Sequence, residues 1–303
     1  MSDSGVEWEV VDKIPETPSS NTFVFSPCEK AEFSVGQFVT VGTTITRPSQ
    51  DGGTEEDWAE RAYSIASSPA RDLVEICIKT EKPYGYVTPT LKKADGFAAY
   101  FNEQVRKGDR VKVRLEKRKD HFLYKVASGL EKDIAYWSGA NGVESARGLI
   151  QWMEDRPDLG IRLLLFYSNP HLYLSETDRR INVIYYDWLI EKAKSIPNLK
   201  VVLTFTRDSQ IPVSDHPHVI YRRGRFFTAE DGTPEKTLTK YRGTADGVFN
   251  PICGSSGFVT GVVAGPDGGL VRRKGMIQNL AEIEGVGTEK MDREQFYLDH
   301  AHG

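Results

Sequence analysis

The chain has 303 residues, about twice the length of a typical domain, which implies one large or two medium domains. Hydrophobic residues make up 39%, aromatic residues 11% and charged residues 27%, a balance that builds a core without disulfide or metal staples. A formal net charge of -4 excludes the strongly basic footprint of a nucleic-acid binder.

The N-terminus, Met1-Ser2-Asp3-Ser4-Gly5-Val6-Glu7, is acidic and lacks the apolar stretch of a signal peptide. No run reaches the ~20 apolar residues of a membrane helix. The first ~125 residues read as short strands: Thr22–Phe25, Gly36–Val41, Leu73–Ile78 and Arg110–Leu115 alternate or are β-branched, with Gly, Pro, Asn and Asp between them. This rhythm predicts an antiparallel β-barrel or sandwich. The polar stretch between Thr46 and Asp57 is expected to be a surface loop.

The second half alternates apolar strand-like runs (134–137, 161–167, 201–205, 248–253) with helical stretches near 144–154, 178–195 and 256–264. Strand–helix alternation predicts an α/β domain with a parallel sheet covered on both faces. The division is expected at 1–127 and 128–303, after the basic run Lys117-Arg118-Lys119-Asp120. Cys28, Cys77 and Cys253 are too few and too scattered for a four-cysteine iron–sulfur cluster. Their odd number argues against a disulfide framework, so the expectation is a cytoplasmic chain with reduced thiols and no metal site.

The strongest local signal is Glu60-Arg61-Ala62-Tyr63-Ser64-Ile65-Ala66-Ser67-Ser68-Pro69. An arginine there can clamp a diphosphate bidentately. Tyr63, two residues on along a strand, shares its face and can stack on a flat ring, while Ser64 can reach the ring edge. A bare R-x-Y-S arises by chance more often than not, and its context gives it weight.

RAYSIASSP resembles the flavin motif of the ferredoxin–NADP reductase superfamily, and further features of that superfamily follow in order along most of the chain. Gly36-Gln37-Phe38-Val39 resembles the barrel strand before the motif, and Glu75–Lys79 the strand after it, with Ile78 and Lys79 at its end. Asp95-Gly96-Phe97-Ala98-Ala99-Tyr100-Phe101 resembles the phosphate turn whose helix N-terminus binds the flavin diphosphate. Ala99 stands where the superfamily usually has Ser. The resemblance implies an FAD-binding barrel contacting the cofactor through Arg61, Ala62, Tyr63, Ser64, Ile78, Lys79, Gly96, Phe97, Ala98 and Ala99. It also implies a C-terminal α/β domain that brings a nicotinamide dinucleotide to the flavin.

Ser138-Gly139-Ala140-Asn141-Gly142-Val143-Glu144-Ser145 follows an apolar strand and opens a helix, the setting in which pyrophosphate binds. It is similar to the superfamily's G-G-T-G-I-[TA]-P, with Asn141 for Thr, Glu144 for Thr or Ala, and Ser145 for Pro. Gly139, Asn141 and Gly142 are the implied contacts, and a carboxylate at Glu144 would repel a diphosphate. Ile252-Cys253-Gly254-Ser255-Ser256-Gly257-Phe258 resembles the C-G-P-P-x-M nicotinamide motif, with serines for both prolines. That resemblance puts Cys253 beside nicotinamide C4, with Gly254 and Ser255 as further contacts.

Thr206-Arg207-Asp208 and Gly224-Arg225 are similar to the arginine motifs with which bacterial ferredoxin (flavodoxin)–NADP reductases hold a 2′-phosphate. NADP is therefore favoured over NAD. In the C-terminal Arg293–Asp299, Phe296 is the implied aromatic against the flavin, with Tyr297 second; His300 and His302 form an H-x-H without a third ligand.

The implied activity is hydride transfer between NAD(P)H and FAD, with Ser64 and Cys253 at the reacting atoms. Single electrons would then pass to or from a separate ferredoxin or flavodoxin. Two alternatives stay open: an NADH-dependent reductase component of an oxygenase system, and a flavin-binding electron-relay subunit with a decayed nicotinamide site.

Overall fold

Apolar alternation on strands builds the first half of the molecule, and near-continuous apolar strands build the second. A computed structural model describes residues 5–48, 54–80, 96–116, 121–264 and 270–296. In the first half, β1 (Val6–Thr17), β2 (Ser20–Pro27), β3 (Phe38–Pro48), β4 (Thr54–Ser64), β5 (Val74–Lys79) and β6 (Arg110–Leu115) form an antiparallel sheet. The strand order is β4-β3-β6-β1-β2-β5. Its two edges meet where the Ala66 N–H donates to the Glu75 carbonyl at 2.7 Å, curling the sheet into a barrel. Val10, Phe23, Phe25, Val39, Val41, Val74, Ile76, Ile78, Val111 and Val113 fill the interior. The helix α1 (Phe97–Gln104) closes one end by inserting Phe97 and Phe101.

Two barrel elements differ from the sequence expectation. Within 46–57, residues 46–48 and 54–57 are strand, part of a pairing that runs from Phe38 with Ser64 to Pro48 with Thr54, while 49–53 lie outside the described residues. Ile45 is buried there, and the Trp58 ring lies over Gly42 so closely that an added Cβ would be 2.3 Å from Cζ2. A few apolar side chains thus carry a strand pair into an otherwise polar stretch. β1 was not expected at all, yet its Trp8 and Val10 are buried.

In the second half, β7 (Asp133–Gly139), β8 (Arg162–Asn169), β9 (Leu199–Phe205), β10 (Val219–Arg223), β11 (Asn250–Ser255) and β14 (Met291–Phe296) form a parallel sheet. Its order is β10-β9-β8-β7-β11-β14. The short hairpin β12 (Val262–Ala264) and β13 (Leu270–Arg272) lies outside it. Helices α2 (Tyr124–Ala127), α3 (Val143–Asp155), α4 (Tyr186–Ser195), α5 (Thr237–Arg242), α6 (Ser256–Val259) and α7 (Met276–Asn279) complete the half. Ile134, Tyr136, Leu163, Leu165, Val201 and Leu203 face one core, which also takes in Phe122, Leu123 and Val126. Ala135, Trp137, Leu164, Phe166 and Val202 face the other. Both sheet faces are therefore covered, which is why the strands read as unbroken apolar runs. Trp137 stacks on Phe166 with centroids 3.9 Å apart and donates its Nε1–H to Asn250 Oδ1 at 3.0 Å, tying β7 to β11.

Two expected helices are shorter than predicted. Within 178–195 only α4 is helical, because Asp178 bonds Ser175 and Arg180 locally and holds the preceding segment in turns. Within 256–264, α6 stops at Val259, and Gly261 turns the chain at φ +75° against the Arg273 carbonyl.

The halves meet along α3. The Arg147 guanidinium, almost fully buried, donates to the Ala66 carbonyl and pairs with Glu75, both in the barrel. It also lies over the rings of Tyr185 and Trp188 at 4.8 and 5.1 Å. Gln151 accepts from the Ser68 N–H at 3.0 Å, and Gly148 backs onto the Ser67 and Ile65 carbonyls, where an added Cβ would stand 3.0 and 3.2 Å away. Removing one partner of a buried pair leaves the other uncompensated. Arg147→Ala is expected to lower the unfolding free energy by about 3–5 kcal/mol, as chemical denaturation of the two proteins would show.

Candidate functional site

In an open parallel sheet, ligands bind outside the carboxyl ends of the strands, where the strand order reverses. Here that point lies between β7 and β11: the chain runs outward from β7 through β8, β9 and β10, and from β11 to β14 on the other side. Both sequence-predicted Gly-rich turns are at this edge. Gly139 ends β7, Ala140–Gly142 forms a single 3₁₀ turn, and α3 begins at Val143. Ala140 takes φ +50°, a conformation that costs an L-residue about 1–2 kcal/mol. Gly142 is required by packing, since an added Cβ would be 2.1 Å from the Cys253 carbonyl. Gly254 and Ser255 end β11, and the Ser255 hydroxyl accepts from the Phe258 N–H at the start of α6.

The barrel motif reaches the same place. Ser64, the last residue of β4, donates its hydroxyl to Glu294 Oε1 at 3.0 Å. Ser145, in the first turn of α3, donates to Glu294 Oε2 at 3.1 Å, and the Cys253 thiol approaches the same oxygen at 3.3 Å. Glu294 stands opposite Cys253 in the parallel pairing of β14 with β11. Three other chain segments thus converge on one carboxylate. Burial pushes the pKa of Glu294 upward against the three donors that pull it down. Burial, and then the Glu294 charge, hold the Cys253 thiol well above its ordinary range, so it is a protonated donor and not a thiolate nucleophile. Sequence reasoning quoted Glu294 only as part of a C-terminal segment and gave it no role; no local pattern marks it, because its partners are 230, 149 and 41 residues away.

Glu144 is also resolved by its burial. It is 2% exposed, with no cation as partner among the described residues, and burial followed by the nearby Glu294 raises its pKa well above the carboxylate range. The protonated form that this shift favours does not repel a diphosphate as the ionised form would.

On the barrel side, Tyr63 is half-buried, and its ring stacks on Phe97 with centroids 6.2 Å apart, bringing the end of β4 to the start of α1. Arg61, on the same strand face, is half-buried, and Ala62 is exposed. The α1 N-terminus begins at Gly96 with no side-chain cap and no acidic residue in its first turn, so its N–H groups are suited to an anion. The side chains of Ile78 and Phe97 pack in the barrel core, because strand alternation and the helix face turn them inward, and Ala99 is buried, which leaves their backbone groups for any ligand. Of these, the Ile78 carbonyl is taken by Asn102 Nδ2. Lys79 and Ala98 are half-buried.

At the far end of the parallel sheet, the Gly224 N–H donates to the Phe205 carbonyl at 3.0 Å, placing the Gly224–Arg225 turn beside the end of β9. Arg207 and Arg225 are both exposed at this edge. Arg222 turns inward to Glu235 and is structural, whereas Arg223 is exposed and reaches only the Ser209 carbonyl at 3.3 Å. Asp208 is engaged by His171 and by the Leu172 N–H, both at 2.7 Å. Phe296 ends β14, paired with Ser255; its side chain, and Tyr297, His300 and His302, lie outside the described residues.

The residues fit a flavin on the barrel side: an uncapped helix start, an arginine and a tyrosine on one strand face, and a hydroxyl held at the strand end. On the sheet side, Ser138 Oγ and Asn141 Oδ1 are buried without hydrogen-bond partners among the described residues, polar atoms that a ligand at this edge could satisfy. No helix among the described residues is long and apolar enough to cross a membrane.

An antiparallel barrel joined to this parallel sheet is the fold of the ferredoxin–NADP reductase-like, FAD- and NAD(P)-binding proteins. A ferredoxin NADP+ reductase from Neisseria gonorrhoeae, solved with bound FAD and NADP, superposes with a TM-score of 0.62 at 16% identity, covering 97% of this chain and 99% of that one. The flavohem-like FAD/NAD binding domain of nitric oxide dioxygenase from Vibrio cholerae gives 0.60 at 16% identity, over 97% of this chain and 99% of that one. The cytochrome b5 reductase domain of Ulva prolifera nitrate reductase gives 0.58 at 18% identity, over 85% and 89%. No protein-family model and no curated protein sequence matches the chain.

The burial of Glu144 has a pH signature. Below its ordinary value of 4.5 the group is protonated in both folded and unfolded chains. Above it, the unfolded chain ionises first, so folding loses up to about 1.4 kcal/mol per pH unit until the raised folded value is passed. Thermal unfolding of Glu144→Gln should match that of the parent below pH 4.5 and exceed it increasingly as the pH rises above that value.

Proposed function

We propose that this chain is a flavin-dependent oxidoreductase that passes hydride between NADPH and FAD and exchanges single electrons with a separate ferredoxin or flavodoxin. The observation that carries this reading is the convergence of Ser64, Cys253 and Ser145 on Glu294 at the strand-order switch point. It joins the end of the R-x-Y-S strand to the mouth of the dinucleotide crevice, the one place where a flavin edge and a nicotinamide would meet. A bound flavin supplies the redox chemistry, and the chain supplies orientation and electrostatics.

Residues 1–127 form the flavin-binding half in this reading, and 128–303 the nicotinamide half. Arg61 and the start of α1 hold the diphosphate, and Tyr63 flanks the ring system. Ser64 presents a hydroxyl whose direction is set by Glu294. Cys253, kept as a neutral thiol, gives the crevice a small uncharged wall and donates to Glu294. Arg207 and Arg225 supply cations for a 2′-phosphate. Asp208, the acidic residue beside them, is already committed to His171 and Leu172 and so is not available to a ribose hydroxyl. These features support NADP over NAD.

A second reading, a flavin-binding electron relay with a closed nicotinamide site, is favoured by one observation: the ring of Phe258 lies against both Gly139 and Gly254.

Purified protein should be yellow, release FAD on extraction and be bleached anaerobically by NADPH; a protein that binds no flavin would end this reading. Ser64→Ala and Glu294→Gln should keep the flavin and slow its reduction by about 100-fold, the scale of losing one preorganised donor. Replacing both Arg207 and Arg225 by Ala should weaken NADPH about 10- to 100-fold, as expected for lost charge-assisted bonds, and leave NADH nearly unchanged. Equal losses for the two nucleotides would contradict the NADP assignment.

A further inference from the structure

The two glycines flanking the switch point have no open space above them. A Cβ added at Gly139 would stand 2.7 Å from Cγ of Phe258, 2.9 Å from Cδ2 and 3.1 Å from Cδ1, and one added at Gly254 would stand 2.9 Å from Cδ1. One phenyl ring therefore spans the ends of β7 and β11 and fills the crevice between the two Gly-rich turns. Its partners explain why it rests there. Phe258 is half-buried against the core that contains Trp137, and its N–H is held by the Ser255 hydroxyl. It sits on a helix of only four residues, α6, which stops before Gly261.

We infer that Phe258 is a specificity-determining wedge: its ring occupies the central crevice in the resting protein and must swing away before a dinucleotide can pass between Gly139 and Gly254. This inference rests on reading the crevice as a dinucleotide site. A half-buried ring on a one-turn helix changes rotamer at the cost of part of its apolar contact, so the open state is a minor one. Affinity for any ligand crossing the crevice is then divided by the open fraction. The adenine end of the site, at Arg207 and Arg225, lies at the edge formed by β9 and β10, separated by β8 from the β7–β11 gap, and does not meet the ring. Phe258 thus penalises the nicotinamide half of a ligand and leaves the 2′-phosphate half untouched. While the ring is in place, it also covers the approach to Cys253 and Glu294 from that gap.

The test is calorimetric titration of the purified holoprotein, as parent, Phe258→Ala and Phe258→Met, with NADP+ and separately with the adenosine bisphosphate fragment that carries the 2′-phosphate. With the open state populated to about a tenth, Phe258→Ala should bind NADP+ about tenfold more tightly. Phe258→Met, which refills the core with a flexible chain, should show a smaller gain and carries the test if the alanine variant does not fold. The fragment should bind all three proteins equally. Unchanged NADP+ affinity in both variants, with binding intact, overturns the wedge and leaves the proposed function standing. An equal gain for the fragment overturns it too, since the effect would then not be local to the crevice. Failure of all three proteins to bind either ligand removes the nicotinamide reading itself, and the wedge with it.

Discussion

The buried guanidinium of Arg147 governs how the two halves of this molecule sit together. It leaves α3, crosses the seam, and binds the Ala66 carbonyl and the Glu75 carboxylate just where the barrel closes on itself. Ala66 is two residues beyond Ser64, and Ser145 is two residues before Arg147. Holding Arg147 on Ala66 therefore sets the separation of Ser64 and Ser145, and both hydroxyls reach the same carboxylate. A rotamer shift or a slipped seam of an ångström would break that convergence. Gln151 and Gly148, on the following turns of α3, leave little freedom to slip.

The carboxylate at the centre is itself placed by sheet topology. β14 adds in parallel beside β11, so Glu294 arrives level with Cys253. Close packing at the switch point adds a second constraint. Gly142 presses on the Cys253 carbonyl, Ala140 accepts a left-handed backbone, and Phe258 closes the remaining space. The region combines a left-handed non-glycine residue with glycines that have no room for a side chain. Strain and unpaired polar groups such as Ser138 Oγ and Asn141 Oδ1 are found where a structure reserves its surface for a ligand.

Charge is distributed with the same economy. Acidic groups at the centre are buried, and burial raises their pKa values, while exposed arginines stand at the distal edge. Thiol and hydroxyl donors around Glu294 keep the centre polar without adding net charge.

Much of this was legible in the sequence, because the signals involved are local. Alternation at β2, β3, β5 and β6, and the apolar runs of β7, β8, β9 and β11, report burial that each strand experiences by itself. Arg61–Ser64 and the two Gly-rich turns were recognisable because a strand end followed by a helix start needs particular residues at fixed spacing. What the sequence could not determine depends on distance along the chain. The strand pairing that runs into 46–48 and 54–57 is supported by Ile45 and the ring of Trp58, although the composition there is that of a loop. Ile78 and Phe97 fall within the motifs read from the sequence, but the barrel core claims their side chains. Glu294 has no local signature, and only parallel pairing with β11 brings it to Ser64, Ser145 and Cys253. The sequence alone determined most of the sheet strands and the Gly-rich turns; the tertiary structure decided the remaining strands and which side chains meet, because hydrogen-bond partners 149 and 230 residues apart become neighbours only when both sheets are closed.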